Sequence, residues 1–154
     1  MTADLPYVGL GLRWNDLSVG QRFRTINRTI TEPDLVNFIN ATGMVEMIFT
    51  DVTYSEQGAI SGRPVPGALC YCFAEGLLVQ ATMQMTGLAM LESNIRVLGP
   101  TQVGDTIHVE VEVLHVRPTS KGNRGIVKTR NDIVNQHGET VATYEAVRMM
   151  AGRE

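Results

Sequence analysis

The spacing of hydrophobic and polar positions changes several times along this chain, and each change marks an element. Phe23, Thr25, Asn27 and Thr29 alternate with Arg24, Ile26, Arg28 and Ile30, the period of two expected of a half-buried strand. At Thr31 the period lengthens, and Leu35, Phe38 and Ile39 fall on one helical face. Thr31 suits the N-cap of that helix, and Asp34 stands where a capping box places its acid. Pro33 is tolerated in the first turn, where its missing N–H would be unpaired in any case. Gly43 is placed to end the helix in a left-handed conformation. From Met44 to Pro66 the period is lost, apart from a short helical turn expected after Ser55. An irregular segment of this length in a compact domain is usually functional or disordered.

From Gly67 to about Thr86 the pattern is apolar on nearly every side, with Leu69, Cys70, Cys72, Phe73, Leu77, Leu78 and Val79 among its members. A helix with so narrow a polar stripe is expected to be wrapped by other elements. Cys70 and Cys72 then read as small buried hydrophobes. Tyr71, Glu75, Leu78, Thr82 and Thr86 share one stripe, which faces a sheet edge or solvent. Beyond Leu88 the period of two returns. Val109, Val111 and Val113 are expected inward and His108 outward, with His115 following the valines, while Gly122-Asn123 and His137-Gly138 mark turns. Strand, helix, irregular loop, apolar helix and several antiparallel strands make an α+β arrangement, a sheet wrapped around one long apolar helix.

A chain of 154 residues reads as a single domain over 1–154, with a loose start to about residue 16. A net charge of -3 with scattered Lys and Arg leaves no basic stripe for nucleic acid. No run reaches the roughly 18 apolar residues of a membrane span. The opening residues, with an acid and a proline, do not have the form of a signal peptide. A reducing, cytoplasmic setting fits the two cysteines. No His or Cys pair has metal-ligand spacing, and no glycine-rich phosphate loop or GxSxG elbow is present. Neither a metal nor a bound cofactor is therefore expected.

The stretch Thr42-Gly43-Met44-Val45-Glu46-Met47-Ile48-Phe49-Thr50-Asp51 resembles the acid/base loop of the MaoC-like, or (R)-specific enoyl-CoA hydratase, branch of the hotdog fold. That loop reads Thr-Gly-Asp-x-Asn-Pro-x-His-x-Asp. Thr42, Gly43 and Asp51 agree with it, whereas Met44 stands at the Asp position and Phe49 at the His position. Ser93 to Leu98 followed by Val103-Gly104-Asp105-Thr106, and the closing Asn135-Gln136-His137-Gly138-Glu139-Thr140-Val141, resemble later passages of the same family. The resemblance covers about Leu17 to Met149.

It implies an acyl-CoA thioester as substrate or ligand, with a glycine N–H at the start of the central helix receiving the thioester carbonyl. In Pro64-Val65-Pro66-Gly67-Ala68 that glycine is Gly67. Met44 and Phe49 cannot move a proton at neutral pH, and either they line an acyl pocket, beside Asp51, or they simply pack the loop. Glu46 is a displaced candidate base. Glu75, about two helical turns beyond Gly67, resembles the placement of a glutamate in hotdog acyl-CoA thioesterases, the runner-up activity. The resemblance also implies a homodimer or higher homo-oligomer. A chain without the acid/base pair would either bind acyl-CoA or partner a catalytic hydratase chain.

Overall fold

The computed structural model describes residues 4–54 and 61–153. Two short strands, β1 (Arg22–Arg24) and β2 (Arg28–Thr29), precede helix α1 (Glu32–Thr42) and a single-turn helix α2 (Met47–Thr50). The long helix α3 (Gly67–Thr82) leads into β3 (Gly87–Val97), β4 (Thr106–Pro118), β5 (Arg124–Val134) and β6 (Thr140–Ala151). All pairings are antiparallel, in the order β1-β4-β5-β6-β3, with β2 also on β4. The sheet curls around α3, the α+β hotdog arrangement. No described helix is long and apolar enough to cross a membrane.

The limits of α1 follow from its end residues. The Thr31 side chain accepts from Asp34 N–H, the Asp34 carboxylate accepts from Thr31 N–H at 2.8 Å, and Gly43 closes the helix at φ 74°. Such a cap is worth about 1 kcal/mol. Leu35 and Ile39 are buried and Phe38 packs partly against the same core. The core lies between α3 and the inner sheet face, where Leu69, Leu77 and Leu78 meet Val109, Val111, Ile133 and Tyr144. Each of those leucines contributes about 1.5–3 kcal/mol by leaving water.

Several details differ from the sequence reading. The first strand is broken at Thr25–Asn27, where Thr25 turns its hydroxyl to Val109 N–H, and the two pieces pair separately along β4. The start of the chain is anchored from Gly11 onward. Gly11 and Leu12 N–H bond to the Gln84 and Thr82 carbonyls, and Trp14 lies over Gly125 and Gly152. The turn expected after Ser55 falls outside the described residues. α3 stops at Thr82, and Met85 takes a left-handed φ of 60° in the turn into β3. This helix is not covered all round, since Cys72 and Val79 are exposed. The sheet covers one side of α3, and the other is left to solvent. In β4 a bulge at Leu114 reverses the alternation, so His115 points outward opposite Lys128 and is exposed. His108 keeps the outer phase but is buried, with Nε2 3.3 Å from Glu110.

Candidate functional site

Two segments run side by side at the beginning of α3. Val65 N–H bonds to the Thr101 carbonyl and Val103 N–H to the Arg63 carbonyl, so residues 63–66 are laid against 101–103 before the helix starts. Pro66 stands at the N-cap and offers no side-chain acceptor. The first N–H groups of α3 are therefore left pointing out of the helix end, where partial positive charge accumulates. Beside that helix end lies a cavity of about 340 Å³ bounded by Gly67 and Cys70 of α3, Val97 at the end of β3, Leu98 just beyond it, and Val141 and Ala142 of β6. A Cβ on Gly67 would lie 3.2 Å from Val97 Cγ2. Glycine here leaves room for a ligand atom to approach the backbone.

The cavity is lined almost without titratable groups. Among its described lining residues Cys70 alone carries an ionisable proton, and Thr101 Oγ1 donates to its sulfur at 3.6 Å. Burial pushes the Cys70 thiol above its usual range. It stays protonated and is a poor nucleophile.

The loop from Gly43 to Asp51 does not line this cavity. Phe49 turns inward against the main core, and Met44 is 42% exposed. Arg63 ties the loop down: its guanidinium donates to the Phe49 carbonyl and forms a two-oxygen pair with Glu32, the shortest contact being 2.5 Å. Asp51 accepts from the Thr53 hydroxyl at 2.6 Å and the Thr53 N–H at 2.9 Å, and these bonds hold its carboxyl below the usual range. Its carboxylate closes a local turn. Glu46 is exposed at the start of α2, and its carboxylate has no hydrogen-bond partner among the described residues.

Glu75 faces the sheet. Arg148 donates to both its oxygens, at 2.8 and 2.5 Å, and the Tyr144 hydroxyl donates to one of them at 2.6 Å. The Arg148 and Glu75 side chains are 7% and 19% exposed. Burial and the neighbouring Glu75 carboxylate keep Tyr144 protonated far above the usual phenol range. Three donors on one carboxylate hold a charge in place and leave little of it to act as a base. Glu75 and Gly67 thus lie on the same helix but in different surroundings. Arg148, Tyr144, Thr101 and Cys70 gave no sign of their roles in the sequence, because each role depends on a partner distant along the chain. Among the described residues no three His, Cys, Asp or Glu side chains gather as metal ligands.

Residues 18–144 match the family described as FAS1-like, dehydratase domain region. The chain belongs to that family. Solved relatives of this dehydratase family agree in shape. A MaoC-like dehydratase from Rhodospirillum rubrum is 26% identical with a TM-score of 0.80, over 94% of this chain and 99% of its own. The R-hydratase PhaJ1 from Pseudomonas aeruginosa is 27% identical with a TM-score of 0.76, over 94% and 88%. A Mycobacterium tuberculosis protein described as a double hotdog fold aligns at a TM-score of 0.72 and 20% identity, over 96% of this chain and 46% of that one, and shares the fold. The hotdog architecture and the MaoC-like family are thereby established. Comparison with curated proteins returns no match.

Proposed function

We propose that this chain binds acyl thioesters, acyl-CoA being the simplest, in the cavity at the start of α3, with the carbonyl oxygen held by Gly67 N–H. The observation that carries the reading is the pairing of that unpartnered helix end with an apolar cavity that no carboxylate, imidazole or amine lines among the described residues. Hydration of an enoyl thioester needs a base for water and an acid for the α carbon, besides donors for the enolate oxygen. Here only the donors are at hand. The reading is a dehydratase-family protein that binds, or that partners a catalytic hydratase chain, with Met44 and Phe49 where the acid/base pair would stand. The names of the R. rubrum and P. aeruginosa relatives, a dehydratase and an R-hydratase, support the reaction family. A hydrolase reading on Glu75 gains no support from a carboxylate bound by three donors.

A second copy of the chain is the expected partner. Every residue of β3 is exposed, and its outer edge carries unpaired backbone groups beside Leu88, Leu91 and Ile95. Soluble proteins rarely leave so long an edge open.

The test is a melting experiment with crotonyl-CoA and with free CoA. Crotonyl-CoA should raise the melting temperature more than CoA does, and Gly67→Ala should reduce that difference. Hydration by the wild-type chain should run about 10²–10⁴-fold below that of a relative with both groups in place. Turnover at a relative's rate would defeat the missing-pair reading, and equal shifts with both ligands would defeat thioester binding.

A further inference from the structure

The wall of the cavity at the start of α3 is apolar with a single exception. Prolines, valines, glycines, a leucine, an alanine and Cys70 make up the rest of it, and the one side-chain oxygen or nitrogen among its described lining residues is the hydroxyl of Thr101. The backbone fixes that residue in place: the Thr101 carbonyl accepts from Val65 N–H at 2.9 Å, beside the run of chain that leads into Gly67. Thr101 is 5% exposed, and among the described residues the only acceptor for its hydroxyl is Cys70 Sγ at 3.6 Å, in the first turn of the helix. A thiol sulfur is a weak acceptor, and a hydroxyl proton can rotate to a better one. A valine of nearly the same shape would close the wall without burying a poorly matched hydroxyl. The helix end beside it also has donors to spare. The Pro66 carbonyl takes the N–H groups of Leu69 and Cys70, whereas those of Gly67 and Ala68 have no acceptor among the described residues.

We propose that Thr101 supplies a second hydrogen bond to the thioester carbonyl, its hydroxyl turning from Cys70 Sγ to the oxygen that Gly67 N–H receives. This inference rests on the thioester reading of the cavity and adds a side chain that selects the ligand by its acceptor. An oxygen that enters here meets a donor whose present partner is weak. Exchanging sulfur for oxygen therefore gives up little and gains a bond of ordinary strength, about three- to tenfold in affinity. A ligand of the same length without that oxygen leaves Thr101 on its sulfur and gains nothing. The remainder of the wall, being apolar, treats the two alike. Discrimination between a thioester and a thioether then falls to the Thr101 hydroxyl and the helix end, the few placed polar groups that fix a ligand in an otherwise apolar pocket.

Calorimetric titration of the whole chain with butanoyl-CoA and with S-butyl-CoA, the thioether that lacks the carbonyl oxygen, tests the assignment. The wild-type chain should bind butanoyl-CoA about tenfold more tightly. Thr101→Val should weaken butanoyl-CoA about three- to tenfold and leave S-butyl-CoA within about twofold, whereas Thr101→Ser, which keeps the hydroxyl, should stay close to wild type with both. Thr101→Ala, which also lacks the hydroxyl, serves should the valine variant not fold. The infrared carbonyl stretch of bound butanoyl-CoA, isotope-labelled at the carbonyl carbon, should move to higher frequency in the valine variant, since one donor to the oxygen has gone. A folded valine variant that weakens both ligands equally, or neither, overturns the proposal, as does an unmoved carbonyl stretch. If the preference for butanoyl-CoA disappears in Gly67→Ala but survives intact in Thr101→Val, the thioester reading stands and the role of Thr101 falls. If the wild-type chain binds the two ligands equally, or binds neither, the thioester reading fails and the role of Thr101 fails with it.

Discussion

Arg148 brings a full positive charge onto the inner face of the sheet, and the structure accommodates it through one matched anion. Removing two charges from water costs several kcal/mol each, and only close, multiple contacts recover it. The two-oxygen pair with Glu75 and the Tyr144 hydroxyl supply those contacts. Arg148→Ala should therefore destabilise the fold by about 3–5 kcal/mol, and Glu75→Gln by a comparable amount, since each leaves an unmatched group. Glu75→Leu combined with Arg148→Met should cost less than either of its single changes. Urea unfolding of the four proteins measures the coupling. Strictly additive losses would show that the pair is not the organising contact. None of this was visible in the sequence: Glu75 read as a candidate base because Arg148 lies 73 residues away. His115 misled for another reason, because one extra residue at Leu114 turned it to the opposite face. Single-residue insertions into a strand leave no mark on the hydrophobic pattern until the alternation resumes.

At the scale of elements, α1 was legible from end to end, since Thr31, Asp34 and Gly43 act within a few residues of themselves. The hotdog order and the start of α3 at Gly67 were legible as well. The irregular segment was not, because its anchor is long-range: Arg63 reaches back to Glu32 at the beginning of α1 and to the Phe49 carbonyl. That anchor has a pH signature. The hydrogen bond from Arg63 holds the Glu32 carboxyl below its ordinary 4.5. A depressed carboxyl stabilises the fold above the unfolded value, and its contribution disappears as pH falls through the folded value. Glu32 is half exposed, which limits the contribution to about 0.5 kcal/mol. Arg63→Ala should accordingly lower stability by a constant amount from about pH 6 to 8, and the gap to wild type should shrink below the ordinary 4.5. A gap of unchanged size down to pH 3 would mean that the pair contributes no charge-dependent stability.

The whole molecule is a sheet with one finished side and one unfinished side. β1 and β2 are short and charged, whereas β3 is eleven residues long and exposed along its length. Next to it, Cys72 and Val79 of α3 meet solvent. Light scattering at micromolar concentration should find a dimer, and Leu91→Lys, at a position 51% exposed, should shift it toward monomer without lowering the melting temperature of the monomer itself. A wild-type monomer at that concentration would contradict the edge-pairing account. The strand order has one more result, and it concerns synthesis. Among the described residues β3 pairs with β6 alone, and β6 is also the neighbour that completes β5. On the ribosome β3 emerges well before Thr140, so this long strand waits without its pairing partner β6 while about forty residues are translated. At a few to twenty residues per second that wait lasts several seconds. Throughout that interval β3 is exposed to chaperones, proteases and neighbouring chains alike.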